Sequence, residues 1–202
     1  PAMAFQLIQI LFWLALAGWF GCVLFIAVAA PVIFRTVREA NPVLPSVLSV
    51  NMEGQHGTLL AGTIVFNLLR RLRLVQIAAA GIVLVSIIAQ VFLIDLSGTN
   101  GTAALVRGGL FFAAVGVLLF DWRVVAPRIE AFRQEYLENA DEPEIANPAR
   151  EKFNVEHARS VTALQVLLFC LLGMILFSAS VTPRPRGLAI DVPAGISNGA
   201  TR

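Results

Sequence analysis

The feature that most constrains this chain is a set of long stretches without a charged side chain. Residues 1–34 carry no Asp, Glu, Lys or Arg, and residues 160–183 carry none either. A helix needs about 20 consecutive apolar residues to cross the hydrocarbon core of a bilayer. Charged residues make up 14% of the chain and its mean hydropathy is +0.78, whereas about a quarter of a typical soluble domain is charged. The sequence therefore predicts an all-α integral membrane protein.

Four segments are long and apolar enough to be transmembrane helices, at residues 5–34, 74–94, 103–125 and 161–181. We expect them to form one domain over residues 1–181, a four-helix bundle. The first segment is longer than a span requires, so it should tilt, protrude or bend near Pro31. The third contains Arg107, whose long side chain we expect to reach up to the membrane surface.

Between the first two spans, residues 54–69 are uncharged but contain three glycines and several polar side chains. Leucine or isoleucine recurs every four residues from Leu60 to Leu72, and arginines follow. This pattern predicts an interfacial amphipathic helix over residues 55–72 that leads into the second span. The alternative interpretation is a fifth span in the same segment.

Residues 126–159 form a polar loop region that holds eight of the 13 acidic residues. Apolar residues at spacings of three and four predict a helix that continues out of the third span. Glu142-Pro143 and Asn147-Pro148 are each expected to break the helix. A second helical stretch at residues 149–159 should then lead into the fourth span.

The basic residues predict an orientation in the membrane. With four spans, 11 of the 15 Lys and Arg residues lie on one side, ten in the two long polar segments and Arg123 at the adjoining end of the third span. By the positive-inside rule both segments are cytoplasmic and both termini face outward. The expected location is the cytoplasmic membrane of a bacterium. A nucleic-acid-binding role is not expected, because these residues border apolar spans instead of forming a basic face.

Few side chains offer chemistry. The two histidines, His56 and His157, are candidates for holding a cofactor such as haem, which would require them to face one another. Metal-ligand spacings, phosphate-binding glycine loops and nucleophile motifs are absent from the sequence. We therefore predict neither catalysis nor a cofactor, although a bound lipid or pigment is compatible with lipid-facing aromatic residues.

Two further sets of residues have a predicted structural role. Small residues spaced along one helix face allow close helix packing in lipid, and here they are Ala15, Gly18, Cys22, Ala29, Gly109 and Ala113. Charges near the ends of the spans are costly unless they are paired. These charges are Asp95 and Arg107 at one membrane face, and Asp121 and Arg123 at the other. Structural pairing is expected at each face.

Short motifs spread over about residues 5–181 carry a resemblance to a known family. They are Trp19 with Gly21, the sequence Ala30-Pro31-Val32-Ile33-Phe34, the sequence Ala126-Pro127-Arg128, and Arg150, Phe153, His157 and Ser160. On these residues the chain resembles the transmembrane protein 205-like family, small four-span membrane proteins of unknown biochemical activity. The resemblance implies a four-span fold and supplies no mechanism.

Residues 182–202 are rich in proline and glycine and show no helical or strand periodicity, which predicts an extended tail. We hypothesise that this tail and the lipid-facing helices contact other membrane subunits and lipids. The chain would then be a non-catalytic accessory subunit of a membrane assembly, for example a respiratory or photosynthetic electron-transfer complex. The alternative is an independent bundle that transports, or confers resistance to, a small solute or metal.

Overall fold

The computed structural model describes residues 2–44, 54–93 and 99–179, which fold almost entirely into helices. The elements are α1 (Ala2–Glu39), α2 (His56–Leu93), α3 (Thr99–Phe120), a π-helical turn (Asp121–Val125), α4 (Ala126–Glu138) and α5 (Pro143–Ala179). These ranges contain no strand, so the all-α prediction is confirmed. The tail at residues 182–202 and Asp95 lie outside the described residues.

Four helical rods are long and apolar enough to cross a membrane, at Met3–Glu39, His56–Phe92, Gly101–Glu138 and Pro143–Ala179. The third rod consists of α3, the π-helical turn and α4 joined end to end. The predicted four-helix membrane bundle is thus confirmed. Each rod has 37 or 38 residues and measures about 55 Å, whereas the hydrocarbon core of a bilayer is about 30 Å thick. Every rod therefore extends beyond the hydrocarbon.

The segment predicted as a separate interfacial helix, residues 55–72, joins the second span in one continuous helix, α2. No proline or glycine lies between residues 63 and 80, and the leucines, arginines and alanines of this region favour a helix. A fifth span here is ruled out, because two consecutive spans need a reversal of the chain between them. The N-terminal part of α2 packs closely on α1, since a Cβ atom on Gly57 would lie 3.3 Å from the Cα atom of Arg38.

The polar region at residues 126–159 is broken once, whereas the sequence predicts two breaks. α4 ends at Glu138 and α5 begins at Pro143, where proline suits the first helical position. The expected break at Asn147-Pro148 is wrong, because α5 continues through Pro148. That proline lies in the second turn, and the alanines on either side of it, Ala146 and Ala149, are buried and hold the helix in place.

The rods are arranged as two antiparallel hairpins, one made of α1 and α2 and the other of α3, α4 and α5. α1 also packs on α5, whereas α2 and α3 meet only marginally. The ring of Trp19 on α1 meets that of Phe111 on α3 edge to face at 6.3 Å, inside an apolar core. The largest buried side chains of this core are Phe12, Leu16, Trp19, Val83, Leu167, Leu171 and Met174.

Candidate functional site

Polar side chains enter the bundle at two levels, which we call the Asp121 layer and the Arg107 layer. The Asp121 layer consists of Arg73, Asp121 and Ser160. The Arg107 layer consists of Gln9, Gln90, Arg107 and Ser178. The apolar core lies between the two layers. Asp121 and Arg107 belong to the same rod and are separated by about 21 Å of helix.

In the Asp121 layer both carboxylate oxygens are engaged by side chains from other helices. Arg73 Nη2 on α2 donates to Asp121 Oδ2 at 3.3 Å, and the Ser160 hydroxyl on α5 donates to Asp121 Oδ1 at 2.7 Å. The Arg73 and Asp121 side chains are only 17% and 14% exposed. Hydrogen bonds to ionised groups are the stronger kind, so this carboxylate ties together the three helices that meet around it.

Asp121 is the first residue of the π-helical turn, and such turns occur frequently at functional sites. The predicted pairing with Arg123 is wrong. Residues two apart on a helix face different directions, and Arg123 is exposed with its guanidinium 4.7 Å from the ring of Trp122. The partner of Asp121 is Arg73.

The Asp121 layer bridges a cleft between α2 and α3, on the side where these two helices meet only marginally. The space inside the cleft is about 10 Å³, room for roughly one water molecule. Next to the ion pair, the Trp19 indole N–H donates to Gln76 Oε1 at 3.3 Å in a buried position. Apolar residues of α2, α3 and α5 supply the remaining walls, at Leu69, Val117, Leu118, Ala163, Leu164 and Leu167. The cleft is an apolar groove with a charged bridge across it.

Beyond the Asp121 layer, α4 is fastened to the N-terminal part of α2. Arg133 Nη2 donates to the hydroxyl of Thr63, and the Tyr136 hydroxyl bonds to Gln55 Oε1 at 2.9 Å. The predicted helix that continues out of the third span is thereby packed against the bundle.

The Arg107 layer differs from the expectation that Arg107 reaches the membrane surface. Arg107 is 2% exposed and its guanidinium carbon lies 5.1 Å from the centre of the Phe12 ring. Its side chain points into the bundle, where the aromatic face attracts the cation. Nearby, Gln90 Nε2 donates to Gln9 Oε1 at 2.8 Å. The predicted pairing of Arg107 with Asp95 involves a residue outside the described ranges.

The two histidines are not brought together. His56 is the first residue of α2, and its Nδ1 accepts a hydrogen bond from the backbone N–H of Leu44 at 3.2 Å. His157 is exposed on α5 and stacks on Phe153. Within the described part of the chain, no group of three or more His, Cys, Asp or Glu side chains is placed to hold a metal ion.

Some of the small residues predicted to pack are buried, and others are exposed or have empty space around them. Ala15 is in the core, Cys22 and Ala29 are half-buried, and Ala113 is exposed. A Cβ atom on Gly18 or Gly109 would meet nothing within 4 Å. The close approach occurs elsewhere, at Gly173, whose Cβ would lie 2.9 Å from Leu110 Cδ1. The two open glycines therefore do not pack closely against another of the described helices.

Sequence reasoning missed the role of Arg73, although a signal was present. Arg73 lies three and seven residues before Gln76 and Ala80, which are both buried. Residues at this spacing share one helix face, so the inward direction of Arg73 follows from that of its neighbours. Arg70 and Arg71 are exposed.

No family model, no curated protein and no solved structure matches this chain.

Proposed function

We propose that this protein is an accessory subunit that packs, through its lipid-facing helices, against other subunits of a membrane assembly. The observation that carries the proposal is a set of glycines at membrane depth that meet nothing within 4 Å of a built Cβ atom. They are Gly18, Gly21, Gly81, Gly108, Gly109 and Gly116. A glycine inside a helix costs about 1 kcal/mol relative to alanine, and helices in lipid use small residues to approach one another closely.

The test is co-purification of the tagged full-length chain from gently solubilised membranes, read by native mass spectrometry. We expect partner subunits with the unaltered chain, and their loss with Gly18→Leu or Gly109→Leu, because a leucine would block close approach of another helix. Ala179→Leu is the matched control, since it adds the same side chain at an exposed position of α5. A chain that is recovered alone under every mild condition would contradict the proposal.

The tail at residues 182–202 is part of the proposal, as a strap on another subunit. Deleting the residues after Val181 should release the partners while leaving the bundle folded. Retention of every partner by the shortened chain would remove the tail from the proposal.

We also propose that the Asp121 end of the bundle is cytoplasmic and that both termini face outward. The supporting observation is the basic residues at that end, which include Arg70, Arg71 and Arg123 on exposed positions. A reporter fused after Arg202 should be active on the outer side. Cytoplasmic activity of that reporter would reverse the orientation.

The second candidate function is transport of a small solute. It is favoured by the two polar layers, which lie at opposite ends of the apolar core, and by the marginal contact between α2 and α3. Transporters move one group of helices against another around a central site. Flux of a small solute in proteoliposomes, abolished by Asp121→Asn, would favour this function over the accessory role.

A further inference from the structure

The Arg107 layer contains three polar side chains that are buried and incompletely satisfied. Arg107, Gln90 and Ser178 are 2%, 1% and 2% exposed. Arg107 Nε, Gln90 Oε1 and Ser178 Oγ have no hydrogen-bond partner among the described residues. Most buried polar atoms in folded proteins are bonded, and each exception needs a physical explanation. Three exceptions on three different helices, at one level of a membrane bundle, indicate a shared cause.

Contacts of the surrounding helices place these side chains at the same end of the bundle. Gln90 is bonded to Gln9 on α1, and the next turn of α1 carries Phe12, over whose ring the Arg107 guanidinium lies at 5.1 Å. α3 and α5 are antiparallel and in contact where Leu110 faces Gly173. Arg107 and Ser178 both lie beyond that contact, toward the same end of the bundle. Side chains on a helix tilt toward its N-terminus, which moves the guanidinium further toward Ser178.

The charge of Arg107 has no counterpart in the described part of the chain. No described carboxylate lies within 4 Å of it, and every described acidic residue lies at the level of Asp121 or beyond. A buried cation is strongly unfavourable unless it is paired, and intramembrane arginines usually have a partner. A single contact with an aromatic ring is weaker than that desolvation cost. No described residue supplies an anion to this layer.

We propose that the Arg107 layer binds one phosphate group that carries a hydroxyl of its own or on its headgroup. Arg107 and the Ser178 hydroxyl supply donors for the phosphate oxygens, and a guanidinium fork matches phosphate well. The unpartnered Gln90 Oε1 accepts a hydrogen bond from the hydroxyl. Arg107 lies about 12 Å along α3 from its first residue, with a side chain directed back toward the helix start, so the layer lies toward the end of the bundle at which α3 begins. Phosphatidylglycerol and inorganic hydrogen phosphate both have this chemistry.

The experiment measures binding to the full-length chain after its lipids have been removed in detergent. Native mass spectrometry compares phosphatidylglycerol with phosphatidylcholine of the same acyl chains, because phosphatidylcholine has a phosphate but no donor on its headgroup. A thermal-shift series adds inorganic phosphate at constant ionic strength, with chloride as the reference. We expect phosphatidylglycerol to bind about tenfold more tightly than phosphatidylcholine, the effect of roughly one net hydrogen bond. Stabilisation by inorganic phosphate would identify the free ion as a source.

Three variants connect the binding to this layer. Arg107→Gln should lose the tenfold preference, and Arg107→Lys should keep part of it, since the lysine retains the charge without the fork. Should Arg107→Gln fail to fold, the double variant Gln90→Leu with Ser178→Ala tests the same site while keeping the arginine. Arg123→Gln, an exposed arginine at the opposite end, is the control and should bind as the unaltered chain does.

Two results would overturn the proposal. One is an unaltered chain that shows neither the lipid preference nor stabilisation by phosphate. The other is phosphate binding that appears in Asp95→Asn and is absent from the unaltered chain. The Asp95 carboxylate would then be the counter-ion of Arg107.

Discussion

The two polar layers of this bundle contrast in how completely their hydrogen bonds are made. Asp121 has a partner for each carboxylate oxygen, and its charge is balanced by Arg73. No described carboxylate lies beside the Arg107 guanidinium. Gln90 and Ser178 each have one polar atom without a hydrogen-bond partner among the described residues. A complete network holds helices together, whereas an incomplete one lowers stability until another group completes it. The Asp121 layer is therefore expected to stabilise the fold, and the Arg107 layer to bind.

The largest expected effect is that of Asp121→Ala. It leaves Arg73 as a largely buried cation and removes the acceptor of Ser160, so we expect a loss of about 3 kcal/mol in unfolding free energy. Reversible unfolding of the purified chain in mixed micelles measures this loss. Asp141→Ala, at an exposed position, is the control and should change stability by less than about 0.5 kcal/mol. Equal effects of the two variants would show that the Asp121 layer does not hold the helices together.

A matched pair of serine variants compares the layers directly. Ser160→Ala removes a hydrogen bond to a carboxylate and should cost about 1.5 kcal/mol. Ser178→Ala removes a hydroxyl that has no partner, so in chain stripped of lipid and phosphate it should cost less than about 0.5 kcal/mol. Thermal unfolding of both variants under the same conditions gives the difference. A larger cost at Ser178 would reverse the contrast between the layers.

The amide pair of the Arg107 layer provides a third comparison. Gln9→Leu alone leaves Gln90 Nε2 without its acceptor and should cost about 1 kcal/mol. Changing both residues to leucine removes donor and acceptor together, and the double variant should be more stable than the single one. The interaction energy from this double-mutant cycle measures the bond. An additive result would mean that the bond adds nothing to stability.

The four spans could be predicted from the sequence because the length of an apolar run is itself the property that a bilayer requires. An apolar run does not show in which direction a side chain within it points. Arg107 was expected at the membrane surface because a long stem permits it, yet the side chain lies against Phe12 inside the bundle. Its direction depends on the packing of α1 beside α3, a contact between segments far apart in the chain.

Pairings between helices were the least predictable part of the site. Arg123 is the nearest basic neighbour of Asp121 in sequence, but the actual partner Arg73 is on another rod. The break expected at Asn147-Pro148 failed for a related reason. α5 continues through Pro148, where the neighbouring Ala146 and Ala149 are buried against the bundle. In both cases a long-range contact decides between locally acceptable structures.

The π-helical turn determines how α4 is rotated about the helix axis relative to α3. The turn holds one residue more than an α-helical turn, so the same sequence wound as a continuous α-helix would rotate α4 by about 100° relative to α3. Arg133 would then turn away from Thr63, and Tyr136 from Gln55, so α4 would lose its attachment to α2. The turn thus allows one rod to direct Asp121 toward Arg73 and also to direct the contact residues of α4 toward α2.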